Sequence, residues 1–512
     1  MQKKEIFAIL MLILFVVLCV TSFQKKTVAG DEPTYLQSAG YMYFKGDFKT
    51  NLEHPPLLKM IIGLPLIFLN QDQNILPYCR LIVTLLGTIL GITIYLFTKK
   101  IYGINAALFA LFLYTLSPNI LAHSRLATLD IGTTLFFFLA ITSFILFLEK
   151  QNIKWLFITG IVFGLALGTK FTTILLGPIF IIIIITFYFY KKNFEIKYIN
   201  KYIPPNYTKN TTFHLIIGFI SIMFIGIIVL HLLYLPQGEL NQDGQTVFNQ
   251  MSENNIVKIQ KLFLPDNYVF GLGLQGLHSE FGQDAYLFGM RSETGWWYYY
   301  ILALIIKIPI AMLLFFILSI TFICLKKIKN KLKHKDTFNE WILIIPVVIF
   351  FGYFSFLNNV NIGIRYIMPI YPFIFIYVSK LVNLKINYWK YILILLFLWY
   401  ALSSFFIYPH YLNYFNEFVG PENGYKYLLD SNVDWNQNGQ YVQEYGNKIF
   451  EETGTRMITN PNCEPTQGII AISVNRVHGL SQEDTDCYSW LREGYEPIDM
   501  IVYTHFIYDT RE

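Results

Sequence analysis

The chain has 512 residues, 54% of them hydrophobic, 18% aromatic and only 14% charged, against about 25% charged in a soluble globular domain. That balance excludes a soluble enzyme and reads as a polytopic membrane protein. The formal net charge of +5 comes from lysines scattered at the ends of apolar runs. It therefore excludes the single basic patch a nucleic-acid partner would need.

The first apolar run, Ile6 to Phe23, follows Lys3-Lys4 and has no small-residue cleavage pattern before Gln24. It is expected to be a transmembrane anchor and not a removed leader. Further runs of spanning length lie at 80–98, 104–121, 128–148, 153–169, 171–190, 212–235, 297–325, 340–358, 366–382 and 388–408. The expected fold is thus mainly α, with about eleven transmembrane helices. Leu57 to Leu69 is shorter and contains Pro65, which fits a re-entrant or interfacial helix.

Lysine placement supports the count. With the N-terminus in the cytosol, Lys3-Lys4, Lys99-Lys100, Lys150, Lys154, Lys191 to Lys209, Lys326 to Lys335, Lys380, Lys385 and Lys390 all fall inside. Loops 24–79 and 236–296, and the tail 409–512, then lie outside. The expected location is the cell membrane, multi-pass, with the C-terminus extracytoplasmic. Residues 1–408 form the membrane domain. The tail has short apolar runs, 468–473 and 500–503, and a helical stretch, 438–451, which fit a small extracytoplasmic α/β domain. In that compartment Cys463 and Cys487 are a candidate disulfide pair.

Most polar residues suited to chemistry fall on this outer face. Asp31-Glu32 opens the first loop. A carboxylate at a partly desolvated boundary serves as a general base, while Asp-Glu-Pro before an amphipathic stretch is good helix-capping chemistry, the reading that local sequence alone favours. Glu53-His54-Pro55-Pro56 leads to Lys59. It reads either as a turn before a helix or as the wall of a substrate pocket. Glu53 is a weak candidate for a divalent metal, and a Glu-His pair alone makes no metal site. Arg80, Arg125 and Arg365 stand at helix mouths. There they either snorkel to head groups or bind a lipid phosphate. Asp130 begins a helix, as a dipole-paired charge or as a site partner. Lys170 and Lys307 are further cations near or within spans.

The order of these pieces resembles the GT-C superfamily of glycosyltransferases that use polyprenyl-phosphate sugars. The nearest patterns are the protein O-mannosyltransferases of glycosyltransferase family 39 and the aminoarabinose transferases of lipid A. The matching segments are Asp31-Glu32, His54 to Lys59, Pro77 to Arg80, Ser124-Arg125 with Leu129-Asp130, Gly295 to Tyr298, Gly363 to Pro372, and Asn413 to Glu417 with Asp434-Trp435. The resemblance implies an inverting transfer from a polyprenyl-phosphate-linked sugar to a hydroxyl on a protein, lipid or glycan acceptor. Asp31 would be the base, with Glu32 and Asp130 in support. Arg80, with Arg125 or Arg365, would hold the phosphate, and Glu53, His54 and Lys59 would shape the substrate pocket. Glu53 stands where the aminoarabinose transferases have a zinc-site glutamate, whereas His54 follows the mannosyltransferase pattern. Loop 236–296 is too short for the β-trefoil-type domain of eukaryotic members, so a protein acceptor in particular is not implied. A transporter or flippase of lipid-linked sugars is the alternative. It would need charges along a path between leaflets and, often, symmetric halves.

Overall fold

A computed structural model describes residues 3–69, 74–190, 211–238, 240, 242–328, 334–384, 386–459, 461–481 and 486–511. The loop lysines between 191 and 210, those at 329–333 and Lys385 lie outside the described residues.

Eight helices are long and apolar enough to cross a bilayer, from Lys3–Phe23 to Trp389–Phe406. Two further expected spans are bent pairs: Ile104–Thr115 with Pro118–Ser124 turns by 62°, and Tyr299–Lys307 with Ile310–Phe322 by 113°. The expected span 297–325 is thus two helices set at a sharp bend. Pro309 supplies no N–H and disfavours helical geometry in the residue before it, so the chain turns at Ile308-Pro309. The eleventh expected span is the Ile153–Leu167 helix, only 15 residues long. It is held by close backbone contact. Gly160 and Gly164 face Gly226 on the Thr211–Tyr234 helix, and a Cβ on Gly164 would stand 2.5 Å from the Gly226 carbonyl. Small residues at this spacing let two helices approach where lipid gives no hydrophobic drive. Leu57 to Leu69 does not span, and instead forms two short helices, Pro56–Ile62 and Pro65–Phe68.

The Asp130–Lys150 helix is innermost, 83% buried, while Thr211–Gln237 is outermost at 28%. One end of the bundle is laced by ion pairs: Lys99 with Glu5 at 3.2 Å, Lys100 with Glu149, and Lys380 with Glu340 at 2.5 Å. These lysines belong to the set assigned to the inner face. The first loop and the tail meet elsewhere, around Asp31.

The tail is α/β, as expected. Four strands, β3 (Ile458–Thr459), β4 (Ile469–Ser473), β5 (Asp499–Ile501) and β6 (His505–Asp509), run in the order β3-β4-β6-β5. β3 and β4 are parallel, and the other pairs are antiparallel. The hairpin β1 (Ala285–Leu287) and β2 (Met290–Ser292) belongs to the large external loop. In the tail, the Gly439–Thr453 helix covers the sheet through Val442, beside Ile469, Ala471, Ile501 and Ile507. Cys463 and Cys487 are disulfide-bonded.

Candidate functional site

The site is built where the first loop meets the tail. Gly30 donates its N–H to the Trp435 carbonyl at 2.8 Å and has φ +39°. A Cβ there would fall 1.9 Å from the Trp435 indole, so only glycine lets the tail sit this close. Thr27 adds a hydroxyl bond to the Asn436 carbonyl at 2.6 Å. Asp31 therefore begins its helix directly beside Trp435.

Asp31 and Glu32 take opposite roles. Asp31 stands at the N-cap of the Glu32–Lys45 helix but makes no capping bond. Its half-exposed carboxylate instead accepts from Arg365 Nη1 at 2.7 Å and from the Tyr35 hydroxyl at 3.2 Å. Burial pushes this carboxyl up, and the Arg365 guanidinium outweighs it, so the net direction is down. Glu32 is fully buried and has no lone pair to spare. It accepts from Arg80 Nε at 2.8 Å and Nη2 at 2.6 Å, and from the backbone N–H groups of Ala29 at 2.8 Å and Ala127 at 2.7 Å.

Arg80 is equally committed. Beyond Glu32, it donates to the carbonyls of Lys26 at 3.0 Å, Thr27 at 2.7 Å and Phe23 at 3.4 Å. Those bonds occupy its five N–H groups, and none is left for a phosphate. Arg80, expected as a phosphate ligand, is here a clasp that fixes the first loop to the bundle. Arg125 is buried against the carbonyls of Ser22 and Pro409 and under the Tyr411 ring. Lys59 is buried too, donating to the carbonyls of Asn51 at 2.7 Å and His54 at 2.9 Å. Burial pushes its ammonium down to about 7. Both cations tie loops, and neither lines the cavity described next.

Asp31, Glu53, His54 and Arg365 do come together, on the wall of a polar cavity of about 340 Å³ shared with Tyr35, His278, Tyr366, Asp430 and Trp435. Its size suits a small-molecule site. Arg365 lies over the Trp435 ring at 4.1 Å and is 7% exposed, and its Nε makes no hydrogen bond. His54 packs edge-on to Tyr35 with Nδ1 unpartnered. Burial, then Lys170 and Lys59, push its imidazole down to about 3, so the ring is neutral at physiological pH. Asp130 stands one layer back. It pairs with Lys170 at 3.1 Å, and Lys170 covers the Tyr366 ring at 4.5 Å. Among the described residues no group of three or more His, Cys, Asp or Glu side chains is placed to hold a metal ion. Glu53 is exposed at the rim without such a set.

Asp430, His278, Tyr35 and the cavity-facing role of Tyr366 were not expected. The tail's contribution carried only a weak signal, Asp434-Trp435 shortly after Asp430.

Residues 53–199 match the family model described as dolichyl-phosphate-mannose-protein mannosyltransferase. No curated protein matches the chain. Among solved structures, ArnT from Cupriavidus metallidurans bound to undecaprenyl phosphate is similar at 12% identity and a TM-score of 0.51, covering 98% of this chain and 97% of that one. The same protein in the apo state matches at 15% identity and TM-score 0.48, over 77% of this chain and 63% of that one. The oligosaccharyltransferase AglB from Archaeoglobus fulgidus, in complex with an inhibitory peptide and a dolichol-phosphate, matches at 15% and 0.48, over 80% and 56%. The chain thus spans less than two thirds of the last two matched chains. It has the GT-C fold and resembles the membrane glycosyltransferases of the protein-mannosyltransferase and ArnT type, as its motif order leads one to expect.

Proposed function

We propose that the protein is an extracytoplasmic-face glycosyltransferase that moves a sugar from a polyprenyl-phosphate donor to an acceptor hydroxyl with inversion. The observation that carries this is the Asp31–Arg365 pair, 2.7 Å apart on the wall of a cavity large enough for a sugar. Of the three candidate arginines, Arg365 is the one that lines that cavity, and its Nε has no partner among the described residues.

In this reading the donor phosphate draws Arg365 away from Asp31. The carboxylate then keeps the upward push of burial and loses the cation that held it down. It becomes the stronger base at the moment the donor is in place. Asp31 takes the proton of the acceptor hydroxyl. The acceptor oxygen forms its bond to the anomeric carbon, and the bond from that carbon to the phosphate oxygen breaks on the opposite face. Polyprenyl phosphate leaves with the electron pair, its charge met by Arg365. Neutral His54 and Glu53 line the pocket, and Asp130 with Lys170 braces Tyr366. The orientation follows the lysine pattern: N-terminus cytosolic, site and tail outside. Residues 1–408 form the membrane domain and 409–512 the domain that closes the site. The acceptor is a protein, lipid or glycan hydroxyl.

Purified protein in liposomes, given radiolabelled polyprenyl-phosphate sugars, tests this. Donor consumption with release of polyprenyl phosphate supports it. Movement of donor between leaflets without consumption replaces it with a transporter.

A further inference from the structure

One carboxylate in the cavity has no part in the steps above. Asp430 begins a short turn of the tail, Asp430–Asn432, and lines the cavity together with residues of the first loop. Its backbone is left-handed, φ +58°, a conformation sparsely used by residues other than glycine and kept only where the surroundings impose it.

The surroundings do impose it, from two directions. On the tail side, the Asn475 side chain accepts the Asp430 N–H at 3.0 Å and donates to the Asp434 carbonyl at 2.8 Å. On the membrane side, Ser431 donates to the Ile362 carbonyl at 2.6 Å. The Asn432 side chain accepts from Ile364 N–H at 3.0 Å, and Lys307 holds the Asn432 carbonyl at 2.8 Å. Gly363 is required beside it, since a Cβ there would stand 2.3 Å from the Ser431 hydroxyl. The turn is thus locked so that one side chain faces the cavity.

That side chain is half satisfied. Oδ1 accepts from the Ser431 N–H, while Oδ2 has no hydrogen-bond partner among the described residues and is not sealed off. Burial pushes the carboxyl up, and Arg365 and the Ser431 bond pull it back. Arg365, paired with Asp31 of the first loop, thus shares one cavity wall with Asp430 of the tail. A sugar linked through its anomeric carbon to a phosphate on Arg365 must place its ring within this same small space.

Resting on the proposed function, we propose that Asp430 is the specificity-determining residue of the site: its Oδ2 accepts a hydrogen bond from one hydroxyl of the transferred sugar. The tail then reads the donor, and the first loop carries the base.

The test is Asp430→Asn in the full-length protein, assayed with the polyprenyl-phosphate sugar the wild type consumes and with its monodeoxy analogues. Asparagine tolerates the left-handed backbone, so the turn is kept. A hydrogen bond to a charged group predicts a loss of roughly 10- to 100-fold in kcat/KM. With one particular deoxy donor, wild type and variant should become equal, because carboxylate and hydroxyl are two ends of the same bond. Equal rates with the full donor, or a loss of constant size across every deoxy donor, would overturn the assignment and leave Asp430 a structural residue. If the wild type consumes no donor at all, the underlying reading fails first and this one falls with it.

Discussion

Replacing Arg80 with methionine separates two roles for the same arginine. The family resemblance implies a phosphate ligand at Arg80, whereas the geometry makes it half of a buried clasp. The clasp is a bidentate pair with Glu32 at 2.6 and 2.8 Å, both side chains being at most 2% exposed. Removing the guanidinium strands a buried carboxylate whose remaining bonds are the N–H groups of Ala29 and Ala127. It also frees the carbonyls of Phe23, Lys26 and Thr27. Breaking one side of a buried ion pair costs about 3–5 kcal/mol, while replacing both partners by apolar groups is often nearly neutral. Arg80→Met should therefore lower thermal stability in detergent by an amount of that order. The double variant Glu32→Met, Arg80→Met should recover part of it. Activity should follow the folded fraction in both. A variant as stable as wild type that no longer binds radiolabelled donor would refute the clasp and restore the phosphate role.

Two further outcomes rest on charge. Asp31 is held below the ordinary carboxyl range, near 4, by Arg365 against the upward push of burial, so the acid limb of kcat/KM should lie below about pH 4. Arg365→Gln removes the downward influence and should move that limb upward while raising KM for the donor, and an unmoved limb would count against the pair. Lys26 is buried between the Asn438 side chain at 2.6 Å, His410 Nδ1 at 2.9 Å and the Tyr441 ring. Burial, then Arg125 and Arg80, push its ammonium down to about 6, against roughly 10.4 in the unfolded chain. The folded state releases this proton first, so stability of the docked tail should rise as pH climbs above about 6. Thermal unfolding across pH reads this, and Lys26→Met should flatten the rise.

The spans were legible because each is a long apolar run, a property of local composition. The break at Ile308-Pro309 was less so. Proline is common enough in membrane helices that its presence alone does not give a 113° turn. The site was legible in part. Asp31, Glu53, His54 and Arg365 share a cavity, as their common sidedness led one to expect. The pairing of Glu32 with Arg80 was not legible because 48 residues separate them, and nothing local shows that two charges close on each other. The place of Asp430 on the cavity was not legible because it is set by a backbone angle and by contacts of its turn with Asn475 and Ile362, far along the chain. Local sequence favours a cap at Asp31, whereas its side chain turns from the backbone toward Arg365.

The most direct test of the central claim is Asp31→Asn, measured for donor binding and for single-turnover transfer in the same preparation. Loss of a positioned general base costs about 10²- to 10⁴-fold. The account predicts a loss of that size in transfer with donor still bound. Transfer at the wild-type rate would contradict it.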